Sequence, residues 1–205
     1  MKTPYDEFFE RAVTRIFTEK KSVIDIGGGL RIDPERNNRY ESKNAWILPL
    51  ARAVEYKVMD PVDTYHPDIV GDIHDLPFGD NSQEAFVVIS ILEHVENPIL
   101  ACKELHRTLE PGGLCLVYVP FLYYYHAEAG YYKDYWRFTH DTLALLFKDF
   151  SAVEFVSTRG AFETVLHLLP GGKSVLLRTL GRTLDRIFGK VRSKQTSGYY
   201  LLATK

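Results

Sequence analysis

The feature that most constrains the fold is the run Ser22 to Ile26, a short β-rich stretch that stops on Gly27-Gly28-Gly29 and gives way to a polar loop. Strand, glycine turn, loop and then an apolar segment from Ala45 to Val54 read as the opening β-loop-α unit of a parallel sheet. The same grammar continues along the chain. Tyr56 to Met59 reads as a second strand closing on Asp60, Ile69-Val70 as a brief third ending at Asp72, and Ala85 to Ile89 as a fourth running into Ser90. Asn97-Pro98 caps a helix to about Leu109, Pro111-Gly112-Gly113 breaks it, and Leu114 to Val119 forms a buried fifth strand. A helix from about Thr139 to Phe147 and strands near Val153 to Ser157 and Gly198 to Ala203 complete seven strands. The expected fold is therefore α/β, a Rossmann-like, doubly wound and mostly parallel seven-stranded sheet.

At 205 residues and 45% apolar content the chain suits one domain with a sizeable core. Its expected organisation is an N-terminal helix over residues 1–20, a cofactor-binding core over 21–120 and an acceptor-side lid with further helix and strand elements over 121–205. Thr3-Pro4 with Asp6 and Glu7 marks the start of the first helix. A formal charge of −2 gives no general attraction to phosphate backbones, so no nucleic-acid partner is expected. Cys102 and Cys115 stand apart inside apolar runs, as reduced thiols do. Without an apolar signal core or a spanning segment, the expected location is the cytoplasm. Oligomeric state is not readable.

In an open parallel sheet the ligand crevice lies at the carboxyl ends of the strands, near the reversal of strand order. Asp25 with its glycines, Asp60, Asp72 and Ser90 all fall at such ends. Gly27 and Gly29 let the backbone turn tightly and approach a ligand. A nicotinamide dinucleotide fits poorly, because Ile32 stands where its fingerprint wants a third glycine and Asp60 lies too far downstream. Asp25 inside the first strand suits a cationic ligand better than a pyrophosphate.

The run Val23-Ile24-Asp25-Ile26-Gly27-Gly28-Gly29 resembles the first motif of class I methyltransferases. The likeness continues through Asp60, Asp68-Ile69-Val70-Gly71-Asp72, Leu76-Pro77-Phe78, Ser90-Ile91-Leu92-Glu93-His94-Val95 and Glu104 to Gly113. In this order the motifs are similar to those of the type 11 family. The resemblance implies S-adenosylmethionine as cofactor. It places Asp25, Gly27, Gly28 and Gly29 at the methionine end, with Asp25 favouring the ammonium, and Asp60 on the ribose hydroxyls. It puts Asp72 on the adenine amino group, the Ile73 backbone on the ring edge, Ser90 near the methionine moiety and Glu93-His94 beside the transfer site. Arg31 replaces the usual third glycine, implying a wider loop or a contact to the carboxylate. The short Asp60 to Asp72 spacing implies a loop in place of a helix.

The acceptor side is read from residues 121–138, which are dense in aromatics and hold His126, Asp134 and Arg137. Methyl transfer needs in-line placement of a nucleophile, and a base only for a weakly acidic acceptor. His126 is the candidate base, with His94 and Tyr135 as further catalytic candidates. Asp134-Tyr135-Trp136-Arg137-Phe138-Thr139 after His126 resembles a signature of methyltransferases associated with cell-surface glycan assembly. There the His lies closer to the Asp-Tyr-Trp segment, whereas here Ala127 to Lys133 lengthens the gap. The expected acceptor is thus a small molecule or a carbohydrate, and the rival reading is a methyltransferase fold kept for binding or regulation without turnover. No metal is expected, since the seven histidines show no close ligand pair. Residues 171–194 are basic with apolar residues at helical spacing, Leu176, Leu180, Leu184, Ile187 and Val191. The preferred reading is a helix whose apolar stripe packs on the sheet, over peripheral contact with a membrane.

Overall fold

A computed structural model describes residues 2–35 and 40–205; part of the Arg- and Asn-rich loop after the glycines lies outside the described residues. The chain forms one seven-stranded sheet in the order β3-β2-β1-β4-β5-β7-β6. Its strands are β1 (Ser22–Ile26), β2 (Glu55–Asp60), β3 (Ile69–Val70), β4 (Gln83–Ile89), β5 (Leu109–Pro120), β6 (Ala152–Ser157) and β7 (Gly198–Thr204). β1 to β5 run parallel, and β7 is antiparallel to both β5 and β6. Strand order reverses between β1 and β4, which fixes the crevice where the sequence placed it.

Strands covered on both faces explain the unbroken apolar runs. Along β5, Leu114 and Leu116 face the layer of α1 (Pro4–Glu19), while Cys115 and Val117 face that of α3 (Pro98–Thr108) and α4 (His140–Leu146). Helix α1 begins in the capping box implied by Thr3, which accepts from the Asp6 amide while the Asp6 carboxylate accepts from the Thr3 amide. Its Phe8, Ala12, Val13, Ile16 and Phe17 are buried.

Two local expectations are corrected and one helix is added. The segment from Ala45 to Val54 is a 3-10 stretch, Ser42–Ile47, followed by a single α-turn, α2 (Leu48–Ala51); Pro49 is tolerated only in the first turn, and β2 already begins at Glu55. A helix unseen in the sequence, α5 (Ala161–Leu168), starts on Gly160, and its exposed first amides are capped from afar, because Asp185 accepts from the Phe162 and Glu163 N–H groups at 2.9 and 3.0 Å. That contact turns α6 (Val175–Ile187) the opposite way from the one its apolar stripe suggests. Its buried residues are Gly181 and Asp185, and a Cβ on Gly181 would meet the Glu163 backbone at 2.5 Å. Leu176, Leu180 and Ile187 are left exposed. No helix among the described residues is long and apolar enough to cross a membrane.

Candidate active site

The glycine turn leaves β1 with Gly27 and Gly28 at positive φ, 75° and 59°. What crowds the glycines is the protein itself: a Cβ on Gly29 would meet the Ile89 backbone oxygen at 2.7 Å, and one on Gly27 would meet Ile91. Asp25, fully buried, holds the turn shut. Its carboxylate accepts from the Gly29 and Leu30 amides, both at 3.0 Å, and from the Tyr56 hydroxyl at 2.8 Å. The acid expected to face an ammonium is therefore engaged in shaping the loop. Arg31 takes the left-handed conformation, φ 52°, that a glycine would adopt freely, and its guanidinium reaches Glu41 at 3.4 Å.

Asp60 ends β2 almost wholly buried. One oxygen accepts from the Val62 amide at 3.0 Å and the other from the Tyr131 hydroxyl at 2.7 Å. A phenol thus sits where the sequence placed a sugar hydroxyl. Burial, and then Asp60 itself, push the Tyr131 hydroxyl well above its ordinary pKa, so it stays a donor. Between β2 and β3 a 3-10 turn, Asp63–Tyr65, replaces the missing helix.

Asp72 accepts from the His74 amide at 2.9 Å and its Nδ1 at 2.7 Å, while His74 Nε2 accepts from the Asn97 amide at 3.2 Å. The two contacts fix the Nδ1–H tautomer. Ile73 is buried beside it. Ser90 follows β4 at φ 56°, a conformation costly for a residue with a Cβ, and its amide donates to the Tyr118 carbonyl.

Across the crevice the fold closes a gap the sequence does not. His94, beyond β4, and His126, beyond β5, bring their rings to 4.9 Å between centroids. His94 Nδ1 lies 2.7 Å from the Lys133 carbonyl and His126 Nδ1 lies 3.0 Å from the Tyr124 carbonyl. A carbonyl can only accept, so both rings carry the proton on Nδ1 and turn Nε2 inward. Between them stands Glu93, 0% exposed, with neither carboxylate oxygen hydrogen-bonded. Its Oε1 lies 3.8 Å from His94 Nε2 and 3.6 Å from His126 Nε2.

Burial holds the His94 pKa below its ordinary value, whereas the Glu93 carboxylate raises that of His126 against its own burial. Asp134 backs His126 by accepting its amide at 2.8 Å. Burial alone would push the Asp134 carboxyl up, but the Arg137 guanidinium and the His126 amide outweigh it and hold it at about 2. The Asp-Tyr-Trp segment is pinned beneath this centre, with the Tyr135 and Trp136 amides donating to the Glu93 carbonyl. Tyr135 itself turns away and donates to Glu96 at 3.0 Å. The structure thus gathers His94 and His126 and sets Tyr135 apart. Sequence reading put Glu93 with His94 beside the transfer site, and the fold adds that its carboxylate is buried between the two imidazoles. Both cysteines are buried, and burial pushes the Cys102 thiol up to about 12, so neither serves as a nucleophile.

Residues 49–117 match the family model described as a methyltransferase domain, type 11. No curated protein matches the sequence. Among solved structures, a SAM-dependent methyltransferase from Archaeoglobus fulgidus is 12% identical at a TM-score of 0.57, covering 98% of this chain and 100% of its own. Another from Thermotoga maritima is 15% identical at 0.54, covering 98% and 96%. A phosphoethanolamine N-methyltransferase 2 from Haemonchus contortus, in complex with S-adenosyl-L-methionine, is 13% identical at 0.53, covering 97% of this chain and 52% of its own. At such identities the likeness is one of fold.

Proposed function

We propose that this class I S-adenosylmethionine-dependent methyltransferase, with its type 11 segment over residues 49–117, methylates a hydroxyl of a small-molecule or carbohydrate acceptor. The observation that carries the reading is the pairing, across the switch point, of a hydroxyl-accepting carboxylate, Asp60, with an imidazole pair around a buried one, Glu93. The donor set fits the cofactor. Asp60 would hold the ribose hydroxyls, the glycine turn shaped by Asp25 would border the methionine end, and Asp72 with the Ile73 backbone would border the adenine. Bound there, S-adenosylmethionine supplies an electrophilic methyl group on a sulfonium.

The chain's own part is placement and proton removal. A hydroxyl is a poor nucleophile until its proton is drawn off, and His126 Nε2, 3.6 Å from the Glu93 carboxylate, is the atom that would receive that proton. The carboxylate stabilises the imidazolium that results, and Asp134 keeps the ring oriented. The aromatic lid, with Tyr132 at 4.2 Å from the His94 ring, excludes water and offers a flat face to a sugar ring.

Calorimetric titration with S-adenosylmethionine and, in parallel, NADH tests the cofactor, and mass-spectrometric screening of sugars and small hydroxylated molecules tests the acceptor. Saturable binding of the first alone, followed by a gain of one methyl group on an acceptor oxygen, is expected. Binding of NADH in its place would overturn the reading. Tight S-adenosylmethionine binding with no turnover on any hydroxyl acceptor would transfer it to a binding or regulatory role.

A further inference from the structure

We infer that Glu93, His94 and His126 form a binding site for one divalent transition-metal ion at the acceptor end of the crevice. The inference rests on the methyltransferase reading for its purpose but on geometry for its existence. Expecting no metal was sound only while the histidines were judged by sequence spacing; the fold puts one oxygen and two nitrogen donors within 4.8 Å of one another.

Three observations converge. First, both imidazoles are locked with Nδ1–H on backbone carbonyls, so each turns an Nε2 lone pair toward Glu93, the usual arrangement of metal-ligating histidines. Second, the separations of 3.6 and 3.8 Å are too long for hydrogen bonds but suit a shared ion. Donors about 2.1 Å from a tetrahedral zinc stand about 3.4 Å apart. Third, a fully buried carboxylate with neither oxygen hydrogen-bonded is costly unless something charged completes it. Asp134, within 3.2 Å of His126 Nδ1, supplies the outer-shell carboxylate that commonly supports such a ligand.

Two imidazoles and one carboxylate are a borderline donor set, which selects zinc-like ions over magnesium or calcium and leaves at least one position open. An acceptor hydroxyl bound there would lose its proton to solvent more readily, because the ion lowers its pKa, and His126 would then be a ligand instead of the base. An acceptor offering two neighbouring oxygens would be held best.

The test starts from chelator-stripped full-length protein. Titration with Zn2+ should show one equivalent bound, and Co2+ should give the intense visible absorption of a low-coordinate site. His126→Ala and Glu93→Gln should each weaken Zn2+ binding by more than about 100-fold, and Asp134→Asn by about 10 to 100-fold. S-adenosylmethionine affinity, measured on the same samples, should change little. Absence of Zn2+ and Co2+ binding to the wild type, or binding indifferent to His126→Ala, would overturn the site. If a variant fails to fold, the wild-type Co2+ spectrum and the protection of His94 and His126 from modification by Zn2+ decide. Zn2+ binding without S-adenosylmethionine binding would sink the methyltransferase reading while leaving the metal site standing; the reverse result would return His126 to the role of base.

A second observation, independent of the crevice, concerns α6. Leu176, Leu180 and Ile187 form an exposed stripe, 77%, 45% and 68% accessible, with exposed Lys173 just before the helix and exposed Lys190 and Arg192 just after it. We propose that this face docks on an anionic lipid bilayer: the apolar stripe suits the headgroup boundary, and the cations favour negative lipid over a second, equally basic copy of the chain. Co-sedimentation with phosphatidylglycerol vesicles at low salt, its loss with phosphatidylcholine vesicles, and its loss in Leu176→Ser/Leu180→Ser are expected. Equal binding of wild type and variant, no binding to either vesicle, or a concentration-dependent dimer abolished by the variant would overturn it.

Discussion

The two ends of the crevice differ in how much of their own chemistry the chain completes. At the cofactor end Asp25 accepts from two amides and a phenol, Asp60 from an amide and a phenol, and Asp72 from His74. At the acceptor end Glu93 is more deeply buried than Asp60, and its carboxylate makes no hydrogen bond. Carboxylates at the first end organise the backbone; the one at the second fixes no neighbour by a side-chain hydrogen bond. A site that stabilises itself is preorganised, whereas one left incomplete tolerates loss of its charge in the free protein and fails only when the ligand arrives.

The contrast can be broken in order of effect. His126→Ala should lower turnover on the order of 10²–10⁴-fold with S-adenosylmethionine affinity unchanged; initial rates beside calorimetry would reveal the split, and a parallel fall in both would erase the distinction between the ends. Asp25→Ala should cost about 3 to 4 kcal/mol of stability, since it strands three donors. Urea denaturation with an unchanged midpoint would show that the loop needs no anchor. Asp60→Ala should weaken cofactor binding by about 1 to 3 kcal/mol, and an unaltered binding isotherm would remove it from the ribose. Glu93→Gln should change the metal-free midpoint by less than about 1 kcal/mol, or raise it, because the buried charge has no hydrogen bond to lose. A large fall in melting temperature would mean that Glu93 is structural after all.

Asp134 sharpens the comparison through pH. Its folded pKa, about 2, lies below the ordinary carboxylate value, so its stabilisation is present above that ordinary value and is lost as pH falls toward 2. Wild type should therefore exceed Asp134→Asn in melting temperature at pH 7, with the gap closing near pH 2 to 3. A gap independent of pH would assign the effect to shape and not to charge.

What was legible in the sequence follows the same division. The cofactor end is built from residues adjacent in the chain: a strand, its terminal acid and the turn behind it, repeated at β1, β2 and β3. Period and turn chemistry suffice to read such units. The acceptor end joins the tip of β4 to a loop beyond β5, and no local pattern announces that His94 will meet His126. Helix α5 escaped because its cap is Asp185, from another helix, and not the residue before it. The stripe of α6 was visible but its partner was not, since periodicity defines a face without saying what the face meets. Gly181 and Asp185 decided that question through close approach and capping.

The lengthened stretch Ala127 to Lys133 gains meaning from where its residues end up. It folds into a turn closed between Glu128 and Tyr132, which delivers the Tyr131 hydroxyl to Asp60 and the Lys133 carbonyl to His94. One short turn therefore carries a contact to each end of the crevice. On the proposed reading, a ribose hydroxyl taking the place of Tyr131 on Asp60 would move the turn that also holds the His94 imidazole. The turn is thus the one place where the two ends of the crevice would communicate, and a coupling carried through it would be reciprocal.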